Sequence, residues 1–232
     1  MLPATALPDP RRGRFQDLKT RLHATSGAAG MLLEDAMPTA ITAFDTLLGG
    51  GFPMGSLVTL EGPCSSGRWS IAATLLAAAT RRGLGAVIDE GELYPPSLEA
   101  AGVRLDRLLI VPAKTPVGIA RAADLLLRSR VVRVVVMAAT SLRAAVWTRL
   151  ASLAQRAGVL LVVVATRAWP ELSASASVRV GFSFERALVR GTRGLWATFD
   201  GFDLRAQVRK HKRATGGAFV TVRSVLASMD GV

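Results

Sequence analysis

From residue 41 onward, short apolar runs alternate with longer segments of helical period. That rhythm belongs to a parallel sheet built from strand and helix units. Five runs, over 57–61, 85–89, 107–112, 131–138 and 159–166, are nearly continuous in Val, Leu and Ile, which predicts strands covered on both faces. Helices are expected between them over 69–82, 94–101, 116–129 and 141–157. The last has the clearest stripe: Leu142, Val146, Leu150, Leu153 and Ala157 recur every three or four residues, while Arg143, Arg149, Ser152 and Arg156 fall largely off it. Beyond Pro170 the pattern alternates and gains aromatics, so 178–184, 194–199, 203–212 and 218–223 are expected as strands of an antiparallel extension. The first 38 residues differ, with four prolines, a run of small residues over 26–30 and a short helical period over 14–23. The expected organisation is an N-terminal arm over 1–38 and one α/β core domain over 39–232, with a mainly parallel central sheet and antiparallel C-terminal edge strands.

A length of 232 residues suits one such domain with a full core. The net charge of +12 comes from 25 Arg and 4 Lys against 17 acids. An Arg-rich skew of this kind accompanies GC-rich coding, so where the cations fall matters more than their sum. The one cysteine, Cys64, excludes an intramolecular disulfide, and the start Met-Leu-Pro-Ala-Thr does not read as a secretory leader. No apolar run approaches the ~20 residues of a membrane helix. A cytoplasmic protein that does not engage membranes is expected. His23 and His211, far apart and with a single Cys, offer no metal-ligand spacing.

The most informative stretch is 41–70, which ends in strand, Gly-rich turn and helix start. A phosphate-binding loop has the spacing GxxxxGK[ST]: glycines let backbone amides turn toward phosphates, Lys reaches the outer phosphates, and the hydroxyl holds Mg²⁺. Gly62, Pro63, Cys64, Ser65, Ser66 and Gly67 keep the spacing, but Arg68 replaces the lysine and Trp69 the hydroxyl, with Ser70 one residue late. A forked guanidinium does not substitute for a point charge, and an indole has no oxygen for a hard cation. Trp69 is expected as a packed core residue. Cys64 is expected as a small buried residue rather than a reactive thiol, and Ser65 and Ser66 lack an evident His partner for nucleophilic catalysis.

The sequence resembles the RecA recombinases. The run from Phe44-Asp45 through Leu48-Gly49-Gly50-Gly51-Phe52-Pro53-Met54-Gly55 is similar to the approach to their ATPase core, and GPCSSGR resembles their GPESSGK. The likeness continues through Val87-Ile88-Asp89-Glu90, Ala176-Ser177-Val178-Arg179 and Val208-Arg209-Lys210-His211-Lys212, so it implies a RecA-like core. The departures are systematic. Where RecA has a second carboxylate that holds Mg²⁺ through its shell, Ala138 ends the strand, and where its Asn-Gln sensor stands there are Ala165 and Thr166. Both DNA-binding loops of RecA look shortened, the second to a link over 170–175. Glu90 and Glu92 are the residual acid candidates.

Loss of lysine, hydroxyl, carboxylate and sensor together removes nearly everything phosphoryl transfer needs. The expected protein is a pseudo-ATPase with no cofactor, ATP and Mg²⁺ entering only under an alternative reading as a RecA or RadA-type ATPase. The chain resembles the ImuA and SulA-like group of degenerate RecA paralogues. That resemblance implies SOS-induced translesion synthesis, with RecA and an ImuB-like Y-family polymerase homologue as partners. A SulA-like inhibitor of cell division is the third reading, and self-association stays open.

Arg205, Arg209, Lys210, Lys212 and Arg213 form a basic strand without an acid. Three readings apply: a solvated edge strand, weak contact with single-stranded DNA, or a surface facing RecA. For the last, the resemblance implies that Lys210 and Lys212 reach across a subunit boundary to a neighbour's nucleotide phosphates.

Overall fold

The protein is described from a computed structural model, covering residues 36–191, 198–212 and 217–225. The helical period over 14–23, Trp196 and Arg213 lie outside these residues. A small antiparallel pair joins β1 (Ala36–Met37) to β2 (Phe52–Pro53), with helix α1 (Thr42–Leu47) between them. The last residues of the expected arm thus form β1.

The main sheet has eight strands. β3 (Leu57–Glu61), β4 (Leu84–Asp89), β5 (Leu108–Pro112), β6 (Val132–Ala138) and β7 (Leu160–Ala165) pair in parallel, β8 (Val178–Arg190) joins β3 in parallel, and β9 (Thr198–His211) and β10 (Phe219–Val225) continue it antiparallel. The spatial order is β10-β9-β8-β3-β7-β6-β4-β5. This is the expected α/β architecture.

Alternation along the central strands builds two apolar layers. Val58, Leu60, Val134, Val136 and Val162 face helix α2 (Arg68–Arg82) and helix α3 (Pro95–Ala100), while Leu57, Val135, Met137, Leu161 and Val163 face helix α4 (Pro116–Ser129) and helix α5 (Ala144–Ala157). Helix α4 starts where expected because Thr115 Oγ1 accepts a hydrogen bond from Gly118 N at 3.1 Å and Pro116 sits at the first helical position. Trp147 of α5, 1% exposed, is the largest side chain of the second layer.

Four expectations need correction. β5 lies at the sheet's edge, so Leu109 and Ile110 stay 42% and 41% exposed instead of being covered on both faces. Of the strand expected over 194–199 only the last two residues lie among the described ones, and they run on into the strand expected over 203–212 as one strand, β9, whose register with β8 shifts at three irregularities that let one long ribbon bend. β9 is not an edge strand, since β10 pairs with it from Gly201 to Gln207. The link over 170–175 is a short helix, α6 (Pro170–Ser175), started by Pro170.

Candidate functional site

The loop between β3 and α2 lies at the carboxyl ends of the central strands, where open α/β sheets place ligands. Gly62 N donates to Ala165 O at 3.1 Å, which ties the loop to β7. A Cβ at Gly62 would meet Phe182 O and Ser66 Oγ at 2.5 Å, so no larger residue fits. Gly67, the N-cap of α2, has φ +81°, and a Cβ there would collide with Leu204. The two glycines that carry the spacing are therefore both required by the backbone.

The side chains that follow them do not present a phosphate cradle. Arg68 is 8% exposed and turns inward, its Nη1 donating to the carbonyl oxygens of Gly62 and Pro63. Its charge is held by the loop's own acceptors. Arg68 Nε and Ser66 Oγ are buried without a hydrogen-bond partner. Trp69 corrects the expectation of a core residue: Arg68, Ile71 and Ala72 take the inward positions of the first turn, which leaves the indole 41% exposed. Cys64 is likewise exposed, at the loop's tip between exposed Pro63 and Ser65. Residues 65–70, Phe184 of β8 and Phe202 of β9 line an open cavity of about 460 Å³.

Of the expected acids, Glu90 and Glu92 are exposed beyond the end of β4, where Asp89 Oδ1 accepts from the backbone N–H of Glu92 and Leu93. The acid that the sequence reading passed over is Glu61, the last residue of β3, 2% exposed. Arg179 Nε and Nη2 donate to its two carboxylate oxygens at 2.8 and 2.9 Å, Arg209 Nη1 donates at 3.3 Å, and Thr59 Oγ1 at 2.9 Å. Burial alone would push the Glu61 carboxyl up, but the bonds from Arg179 and Thr59 and the charges of Arg179 and Arg209 together hold it below the ordinary glutamate value. The Arg179 guanidinium is raised by the same pair. A charged residue ending an otherwise apolar buried strand was the available signal.

The basic residues of the 205–213 segment have different surroundings. Arg205 lies over the Phe219 ring at 3.9 Å. Arg209 is bound to Glu61. Lys210 Nζ donates to Ser173 O and Ala174 O at 2.9 and 3.1 Å, in the last turn of α6, and its pKa is lowered by burial first and then by Lys212 and Arg179. Lys212 is exposed. Arg213 lies outside the described residues.

Residues 45–171, more than half the chain, match the family of the MT3502 N-terminal domain. The chain belongs to that family. It is also similar to RecA: 38% identical to that of Thermus thermophilus over 106 residues, 44% of this chain and 31% of the relative. Identity to the RecA of Methylococcus capsulatus is 40% over 106 residues, 44% of this chain and 30% of the relative. The matched segment thus spans about a third of the length of these curated relatives. The crystal structure of the RadB recombinase superposes with a TM-score of 0.65 at 17% identity, covering 81% of this chain and 95% of that one. The fold is RecA-like. Among the described residues, no helix is long and apolar enough to cross a membrane.

Proposed function

We propose that this chain is a non-catalytic, RecA-like accessory protein of the ImuA type, acting in the cytoplasm in SOS-induced translesion synthesis through contacts with RecA and an ImuB-like Y-family polymerase homologue. The observation that carries the reading is the inward Arg68, whose guanidinium bonds the loop's own carbonyls instead of facing a ligand. The donor set does not suit a magnesium nucleotide: position 69 offers an indole in place of a metal-holding hydroxyl, and Ala138 ends β6 without a carboxylate. The buried acid beside the loop, Glu61, is 2% exposed and its carboxylate oxygens are taken up by Arg179 and Arg209. Similarity to RecA supports a role in recombination and repair chemistry; the accessory role follows from the altered loop.

The test is ATP hydrolysis by the host RecA on single-stranded DNA as this protein is titrated in, with the protein alone on the same DNA as the blank. A silent blank with a dose-dependent change in RecA turnover is expected. Turnover in the blank would overturn the pseudo-ATPase reading. A silent blank with flat RecA turnover would remove RecA as the partner and leave the polymerase homologue.

A further inference from the structure

We infer that the outward face of helix α4 is a docking surface for an acidic amphipathic helix of a partner protein. Helix α4 covers the second apolar layer with Ile119, Ala123 and Leu127, all buried. Val117, Arg121, Leu125 and Arg128 follow one another at spacings of four, four and three residues, so they form one stripe, and it is the stripe turned away from those core residues. The outer stripe of a surface helix is ordinarily polar. Here Val117 is 77% and Leu125 61% exposed. Neighbouring α5 follows the ordinary rule, since none of its large apolar side chains is exposed.

The charges around these two side chains are of one sign. Helices α4 and α5 carry four arginines, Arg121, Arg128, Arg149 and Arg156, against one acid, Asp124. That acid is already shared: Arg128 bonds it at 2.8 Å and Arg149 at 2.9 Å. Arg121, exposed between Val117 and Leu125, has no acid partner among the described residues. The face thus offers cations to a partner and no free carboxylate to compete for them. Its complement is a row of apolar side chains flanked by acids. A helix presents both at once, because its rows repeat at three and four residues as those of α4 do.

Other occupants fit less of this face. A nucleic-acid strand would match the arginines but set Val117 and Leu125 against phosphates, and the stripe has no ring for a base to stack on. A second copy laid α4 against α4 would bring Arg121 and Arg128 of both copies together, in a chain whose net charge is already +12.

The experiment follows the backbone amides of residues 116–129 by NMR in the full chain during titration with a designed peptide of about 20 residues, long enough to form a helix in water. The peptide carries Leu along one stripe and Glu on both sides of it. Saturating shifts at these amides are expected. The same peptide with Lys for every Glu should bind at least about tenfold more weakly. Leu125→Ala and Arg121→Glu, both at exposed positions and so expected to fold, should each weaken binding of the Glu peptide about tenfold, as loss of a central contact does. Amide spectra unchanged away from α4 check that both variants keep the fold. No saturation, equal affinity for the two peptides, or unchanged affinity in both variants would overturn the surface. So would stronger shifts at these amides with a single-stranded oligonucleotide, which would make the face a nucleic-acid site. Shifts that grow with the chain's own concentration before any peptide is added would overturn it in favour of a contact between copies. None of these results bears on the altered loop, whose reading is decided by the RecA titration.

Discussion

Two carboxylates mark the same end of the sheet and have opposite surroundings. Glu61 ends β3 beside the loop that leads into α2, 2% exposed and bound by Arg179, Arg209 and Thr59. Glu90 follows β4, exposed. An acid that activates water must meet it, yet the exposed one stands beyond an edge-proximal strand and the one beside the loop is enclosed by guanidinium groups. Glu61 instead fastens three strands: β3 carries it, β8 carries Arg179 and β9 carries Arg209. The acidic chemistry near the loop serves the junction between the parallel and antiparallel parts of the sheet.

The largest effect that would sharpen this contrast is removal of Arg179. With its bidentate partner gone, Glu61 keeps a buried charge held only by Thr59 and the more distant Arg209, and Arg179→Ala should destabilise the fold by about 3 kcal/mol or more. Urea unfolding measures it. Glu90→Ala, at an exposed site, should stay within about 0.5 kcal/mol of the parent protein. Equal costs for the two variants would break the comparison.

Why Glu61 escaped the sequence reading is instructive. Its partners are 118 and 148 residues away, and the register that brings them together exists only once β8 pairs with β3 and β9 with β8. The central strands were legible because each is buried on both faces and so is written as a continuous apolar run; β3 has the bounds its run predicts. Helix α4 was legible because Thr115 and Pro116 mark its start. Burial of β5 was misjudged because an apolar run does not show its place in the sheet, and Leu109 and Ile110 fall at the edge. β9 was read as two strands because its bends are set by pairing with β8, not by its own composition. The loop's glycines were readable from spacing, while the directions of Arg68 and Trp69 depend on where Gly67 starts the helix.

A smaller effect concerns Lys210, a third cation beside this junction. Its ammonium bonds two carbonyls of α6, an arrangement that fastens β9 to the helix after β7. Lys210→Met keeps the stem and removes the donors, and should cost about 1–2 kcal/mol. A cost near zero in urea unfolding would mean that the ammonium is free to face a neighbour instead.

The pH dependence of stability tests the pairing of Glu61. Because the folded pKa of Glu61 is lowered, its contribution is fully present above the ordinary glutamate value and is lost as pH falls through the folded one. Urea midpoints measured downward from neutrality should therefore fall for the parent protein, and more shallowly for Glu61→Gln, which binds no proton there. Parallel curves for the two proteins would place the acid sensitivity elsewhere.

The smallest expected change lies at Trp69, and its smallness is informative. A tryptophan that replaced the metal-holding hydroxyl in order to fill the core would cost about 3–5 kcal/mol to truncate, as buried aromatics do. At 41% exposure the indole leaves no comparable cavity, and Trp69→Ala should shift the urea midpoint by the equivalent of about 0.5 kcal/mol or less. Such a result would mean that position 69, released from holding a metal, does not serve the fold, since Ile71 and Ala72 already fill the inward side of that turn. A large loss of stability would restore the packed-core explanation and leave the altered loop as a purely structural relic.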